Sequence, residues 1–475
     1  MRKSHSDLAA MLDRRRFLQA AGMLGASGVA MNLQLASSAL ATVTPTQTEF
    51  RAAVCLFLFG GIDSFNVLTP FDEPEYSTYV QSRGAVALPK SSTNPYADIV
   101  EPITDTHQGG RRFGVHSKAK KLRELYNAGK LAFIANAGSL VEPMSVAEYH
   151  AQSKVRPVGV RSHNDMQRSW QSGMAHTRNP QTGWAGRAAE LLSDATNSHP
   201  LIPMNYTLAG TNLLLNGDSL TPYAATENGA VTFNDYRSNN NGRRRAIRQA
   251  TDATLDANYP NLFTQSIASI RRNAIDSSLA FIDATSSVSI STEFPNTPTG
   301  NRLKQVAKTI AIAGTLGQQR QIFMVGGGSG WDSHLQAMPT GSLTEVCDAT
   351  KAFYDATVEL GVENQVTLFA CSDFGRTLSS NTNKGTDHGW GGNYFAVGGA
   401  VKGSRVYGTY PDLTLGGPGD ITSRGIPLPT TASDVYLAEI AAWLGIPNDQ
   451  YLELVFPNLR NFVSAGATLP LQFLL

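Results

Sequence analysis

Residues 52–65 read AAVCLFLFGGIDSF, an unbroken apolar run closed by two glycines with an aspartate at position 63. Such a run, too short for a typical helix and bounded by glycine, predicts a strand buried on both faces of a parallel sheet. Asp63 then falls at the strand's carboxyl end, where open α/β sheets present polar groups. Four later segments repeat the pattern: LAFIANAG (131–138), RQIFMVGGGSGWDSH (320–334), QVTLFACSDFGRT (365–377) and NYFAVGGAV (393–401). Between them lie HSKAKKLRELYNAG (116–129), NRLKQVAKTIAIAGTLG (301–317), LTEVCDATKAFYDATVELG (343–361) and DVYLAEIAAWLG (434–445), whose apolar residues recur at helical spacing. Strands alternating with helices predict an α/β protein with a mostly parallel central sheet covered on both faces.

Two stretches break the rhythm. Residues 203–234 are rich in Asn, Thr and Gly and read as loops, with room for a small strand pair over the site. Residues 236–283 open with the basic SNNNGRRRAIRQ and continue as helix, so an insertion of about 203–300 is expected. Arg243, Arg244 and Arg245 invite an anion-binding reading, but a solvated helix face is the preferred one. There is no internal repeat.

The 475 residues carry 39 Lys plus Arg against 38 Asp plus Glu, a formal net charge of +1. That balance removes the electrostatic case for a nucleic-acid partner. With 41% hydrophobic and 16% charged residues, the composition is that of an ordered globular chain. Residues 1–41 read as a targeting segment: Arg14-Arg15-Arg16-Phe17-Leu18 precedes a weakly apolar stretch, and Ala39 and Ala41 fit a peptidase cut before Thr42. The paired arginines ahead of Phe-Leu resemble the twin-arginine signature of proteins exported after folding, which implies a periplasmic or secreted location. Removing this segment takes away five basic residues and two acidic ones, leaving 34 against 36 in residues 42–475. No transmembrane span is expected in that mature chain. Cys55, Cys347 and Cys371 define no disulfide framework; Cys55 and Cys371 read as small core residues.

The polar residues that follow the strands carry the chemistry. Asp63, Asp332 with His334, Asp373, and Asp387 with His388 in GTDHGWGG would all meet at one edge of the sheet. Acids and imidazoles gathered there are costly unless a cation joins them, so a divalent metal is expected. Taken singly, Asp63 and Asp373 also suit helix N-caps. In VRSHNDMQRSWQSG (160–173), Ser162 opens a helix and is a candidate nucleophile; the alternative is an N-cap, with Asp165 completing a capping-box-like pair. Arg161 and Arg168 are placed to meet anionic oxygens.

These segments, together with the leader and the ending PLPTTASDVYLAEIAAWLG, resemble over nearly all of residues 42–475 the bacterial proteins grouped as domain of unknown function 1501. That family is in turn similar to the alkaline phosphatase, sulfatase and cofactor-independent phosphoglycerate mutase superfamily. The resemblance implies an alkaline phosphatase-like three-layer α/β sandwich with a two-metal site. It matches Asp63 to the first aspartate, Ser162 to the nucleophile, Asp332 and His334 to the loop pair, Asp373 to the strand-end acid and His388 to the late histidine. Two departures stand out. The loop pair is Asp-x-His rather than Asp-x-x-x-His, and Phe374 occupies the position of an expected histidine. One metal position has therefore lost a ligand or borrowed one, with Asp387 and His163 the nearest candidates.

The expected activity is hydrolysis of a small anionic phosphate or sulfate ester at two divalent ions drawn from zinc, manganese, magnesium or calcium. Asp63, Asp373 and Ser162 would hold one ion and Asp332, His334 and His388 the other. Ser162 would attack, with Arg161 or Arg376 orienting the ester oxygens. The alternative is a catalytically degenerate relative with a binding or assembly role, and a protein partner, at the cell envelope. A serine esterase is disfavoured because no G-x-S-x-G elbow is present.

Overall fold

The computed structural model describes residues 49–90, 100–103, 111–231, 236 and 242–475, all within one compact unit spanning Val43–Leu475. The expected leader at residues 1–41 and part of the SNNNGRRR stretch lie outside the described residues. Thirteen strands are described: β1 (Arg51–Leu58), β2 (Leu68–Pro70), β3 (Val100–Ile103), β4 (Phe113–His116), β5 (Leu131–Gly138), β6 (Asn205–Leu208), β7 (Tyr223–Thr226), β8 (Gly229–Ala230), β9 (Arg320–Gly326), β10 (Val366–Ser372), β11 (Gly392–Gly398), β12 (Arg405–Tyr407) and β13 (Thr431–Ala432). Ten of them form one sheet in the order β12-β5-β11-β10-β1-β9-β6-β7-β8, with β13 also on β5; β2, β4 and β3 form a separate small sheet.

As its apolar run predicts, β1 is interior. It pairs in parallel with β10 on one side and β9 on the other, and Ala52–Leu58 are all buried. The helix Ser433–Leu444 is buried on almost every side, as its largely apolar sequence favours, and packs on β1 and β5. Two arginines at the amino ends of neighbouring strands anchor its last turn. Arg320 donates to the Leu444 carbonyl and Arg51 to that of Trp443, satisfying acceptors the helix itself leaves open.

Near this helix's start the fold buries an acid. Burial pushes the Asp434 carboxyl up to about 7, against smaller lowering influences from Ser433, Arg187 and Asn458. The native state therefore holds this proton more tightly than the unfolded chain, where the ordinary value is about 4. The resulting stability is fully present below pH ~4 and is lost as pH rises through ~7. Asp434→Asn removes that loss: relative to the parent, the variant gains stability across this window, by on the order of 2–4 kcal/mol at pH 8. Urea titrations of both proteins at pH 4 and pH 8 measure the gain; an equal difference at the two pH values would refute it.

Two expectations are corrected. NYFAVGGAV forms β11, but the strand runs antiparallel to both β10 and β5. This reversal is what serves the site: a segment preceding a parallel strand would sit at the opposite edge, whereas the 373–391 loop leaves β10 and enters β11 on the same edge. The loop folds back tightly, with Gly375 N–H donating to the Trp390 carbonyl, Gly389 N–H to the Gly375 carbonyl, and a bridge between Arg376 and His388. A side chain on Gly375 would start 2.2 Å from the Gly391 carbonyl oxygen, so only glycine permits that approach. Within 203–231, β7 and β8 do form an antiparallel pair, but at the end of the sheet and not over the site. With β6 they extend the main sheet at its far end. The helical reading of the following stretch agrees with helices at Gly242–Leu255 and Leu262–Thr285.

Candidate metal centre

The helix His163–Ser172 brings His163 over the carboxyl edge of β10. Its Nδ1 lies 2.6 Å from Oδ2 of the buried Asp373, which also accepts from Gln167 Nε2 at 2.9 Å and Gly60 N–H at 3.2 Å. An ionised carboxylate only accepts, so His163 donates from Nδ1 and turns Nε2 outward, 3.5 Å from Asp332 Oδ2. The same logic orients two more imidazoles. His388 Nδ1 lies 2.8 Å from the Arg161 carbonyl and His334 Nδ1 3.0 Å from Asp387 Oδ1. Their Nε2 atoms stand 3.2 and 3.0 Å from Asp332 Oδ1 and only 2.9 Å from each other. Ligating atoms of His163, Asp332 and His388 all fall within 4.8 Å of one another.

Three imidazoles with Nδ1 held by a carboxylate or carbonyl and Nε2 facing one carboxylate make the usual histidine environment of a metal site. Facing Nε2 lone pairs at 2.9 Å repel unless a proton or a cation lies between them. Burial lowers the affinity of His388 for a proton, the Arg161 carbonyl opposing this only in part, which favours the neutral, ligating form. His163 is shifted the other way by its hydrogen bond to Asp373. Burial would raise the Asp332 carboxyl, but the Arg376 guanidinium at 2.8 Å and the nearby histidines hold it below its ordinary value. Asp387, raised by burial but bonded to Arg424, Asn381 and His334, is held down to about 2.

A nitrogen-rich donor set thus fits one cation. A second fits poorly. Asp63 is buried against Arg83, whose guanidinium also bonds Asn66 and the carbonyls of Thr377 and Leu378. The Oδ1 atoms of Asp63 and Asp373 are buried without a partner, as a cation would favour. Yet each carboxylate already has a basic neighbour, Arg83 or His163, and among the described residues no third His, Cys, Asp or Glu ligand groups with this pair.

The other sequence-derived residues take roles that differ from expectation. Ser162 stands at the N-cap of the helix His163–Ser172 and Asp63 at that of the short turn Ser64–Asn66, as read, but neither side chain makes a cap bond and no capping box forms. Ser162 instead sits between Arg161 and His163, both of which touch the cluster through other atoms. Arg161 acts through its carbonyl, with its guanidinium exposed and its backbone at φ +73°, a left-handed conformation that is uncommon for a bulky residue and recurs at functional sites. Arg376 is fully buried and clamps Asp332 and Thr386. Asp387 faces away from the cluster's centre as a brace for His334. Of the two candidates for a borrowed ligand, His163 is the one that joins the group. Sequence reasoning missed Arg83, Asn381 and Arg424, whose segments carry no local signal. Gln167 was missed too, although a signal was there: it lies four residues from His163 on one helix face.

Phe374 is a wall. Its ring centroid lies 4.8 Å from that of His163 and 4.7 Å from that of His388. Beneath it, Gly61 has φ +79°, and a Cβ there would begin 2.4 Å from the Phe374 ring. Gly61→Ala is therefore expected to displace the ring from both imidazoles and to cost roughly 1–3 kcal/mol from backbone strain alone. Denaturant unfolding checks the cost; an unchanged midpoint would show that the loop absorbs the methyl group.

Fold and site together define a mixed α/β protein with a His/Asp cluster at the edge of a large, mostly parallel sheet. The chain belongs to the family described as protein of unknown function (DUF1501), whose model matches residues 51–417. No curated protein matches it. Among solved structures, it is similar to Ps i-CgsB at 11% identity and TM-score 0.33, and to Ps i-CgsB in complex with k-i-k-neocarrahexaose at 10% identity and TM-score 0.32. Each alignment covers 87% of this chain and 77% of the other. At such TM-scores neither likeness bears on the chemistry. Among the described residues, no helix is long and apolar enough to cross a membrane.

Proposed function

We propose that this chain is an exported, metal-dependent hydrolase of phosphate or sulfate esters, built on an alkaline phosphatase-like scaffold and delivered to the periplasm by the twin-arginine route. The observation that carries this reading is the convergence of three Nε2 atoms on Asp332 with every Nδ1 held from behind. His163 and His388 with Asp332 would hold the metal, with His334 beside His388 and Asp332. A divalent cation there supplies Lewis acidity towards an ester oxygen. Ser162, its hydroxyl not spent on capping the helix, is the candidate nucleophile. Its Oγ would bond to phosphorus or sulfur as the alcohol departs, and water would then release the acid and restore the serine. Asp373, Asp387 and the Arg161 carbonyl keep the imidazoles in one tautomer, while Phe374 screens one side of them from water.

Metal analysis of the purified protein, followed by a screen of aryl phosphates, phosphodiesters and aryl sulfates, tests the proposal. Metal-dependent turnover lost in Ser162→Ala is the expected result; a metal-loaded protein that turns over none of these esters would end the hydrolase reading. A second reading, a degenerate relative with a binding or assembly role, is favoured by one specific observation. Arg83, Arg376 and Arg424 already pair with Asp63, Asp332 and Asp387. A stable, metal-free and inactive protein is its signature.

A further inference from the structure

Resting on the reading that this edge binds metal, we infer that it holds a single transition-metal ion of the zinc, cobalt or nickel class, ligated by Nε2 of His163 and His388 and by Asp332, with His334 beside His388, and that no second metal binds at Asp63. Three observations combine. The donors that converge are mostly imidazole nitrogens, which suit borderline transition metals, whereas magnesium and calcium favour all-oxygen sites. The 2.9 Å approach of His334 Nε2 to His388 Nε2 leaves two lone pairs facing each other in the tautomers that their Nδ1 partners enforce. A bound cation resolves that repulsion for all the nitrogens at once. On the other side, the carboxylate that would anchor a second ion is neutralised by a guanidinium. Arg83 is itself fully buried and fixed by Asn66 and two backbone carbonyls, so it has no room to swing away. A fixed organic cation has taken over the charge-balancing role of a metal.

The three Nδ1 partners also predict a graded response. Removing the buried carboxylate behind His163, as in Asp373→Asn, leaves the ligand in place but weakens its orientation and basicity. Metal affinity is expected to fall ~10–100-fold with the stoichiometry unchanged.

The test is titration of the chelator-stripped full chain with zinc(II) or cobalt(II) alone, followed by calorimetry and visible absorption. One equivalent per chain is expected, with intense cobalt bands of a low-coordinate, nitrogen-ligated ion that disappear in His163→Ala. Asp63→Asn should retain one equivalent; should that variant not fold, the stoichiometry of the parent protein decides the matter unaided. Two equivalents would overturn the single-ion inference while leaving the hydrolase proposal intact. Preferential loading with magnesium or calcium and no cobalt bands would overturn nitrogen ligation. No binding of any ion would overturn both. One equivalent with no ester turnover would remove the hydrolase and leave this inference standing.

Discussion

Asp332→Ala is expected to lower metal affinity by on the order of 100-fold or more, because loss of an outer partner of a ligand already costs ~10–100-fold and Asp332 meets the site directly. Its Oδ1 lies within 3.2 Å of His334 Nε2, His388 Nε2 and Arg376 Nη1, and its Oδ2 faces His163 Nε2. No other described carboxylate touches all three imidazoles. The variant should nevertheless fold. Asp332 is 45% exposed, and Arg376 keeps its bonds to the Thr386 carbonyl and hydroxyl. Competition titration against a chromogenic chelator measures the affinity, and far-UV circular dichroism checks the fold. A folded variant that binds zinc as tightly as the parent would show that the imidazoles alone make the centre, or that the metal sits elsewhere.

Burial leaves a mark in the sequence at this edge, whereas side-chain partnership between distant segments does not. β1 was legible because burial on both faces demands an uninterrupted apolar run, and residues 52–59 supply one. The helices at Pro298–Ala311, Thr340–Glu359 and Ser433–Leu444 were legible from apolar spacing. The direction of β11 was not: an apolar run of that length reads the same whichever way it pairs, and only the return path of the 373–391 loop fixes it. Likewise, acids placed after strands announce an edge but not their partners. Asp63 and Asp332 look equivalent in sequence, yet one meets a buried arginine and the other three histidines. Side-chain partners that come from distant segments, such as Arg83 for Asp63, leave no periodic trace. Of the two candidates for a borrowed ligand, Asp387 and His163, only His163 is brought into the group, a choice that spacing alone does not make.

Arg83→Ala is expected to destabilise the fold by about 3–5 kcal/mol, the cost of stripping one partner from a buried ion pair. The physical reason lies in what remains. Asp63 is 1% exposed, its Oδ1 already lacks a partner, and without the guanidinium its Oδ2 would lose its partner as well. The Thr377 and Leu378 carbonyls and Asn66 Oδ1 would lose donors in the same step, although Tyr79 still donates to Asn66. Because the Thr377–Leu378 segment continues from the Arg376 clamp on Asp332, loosening it should reach the metal centre, and weaker zinc binding is expected alongside the lower unfolding midpoint. Double replacement separates charge from packing. If the cost of Arg83→Ala is an orphaned buried charge, then Asp63→Leu with Arg83→Met, which leaves no charge behind, should recover a large part of the stability. Its zinc stoichiometry should match the parent, since neither side chain is a ligand. Chemical denaturation of Asp63→Leu, Arg83→Met and the double variant closes the cycle, with Arg83→Ala measured alongside. A double variant no more stable than Arg83→Ala would mean that Arg83 matters for the carbonyls it ties down, and not for the carboxylate it neutralises.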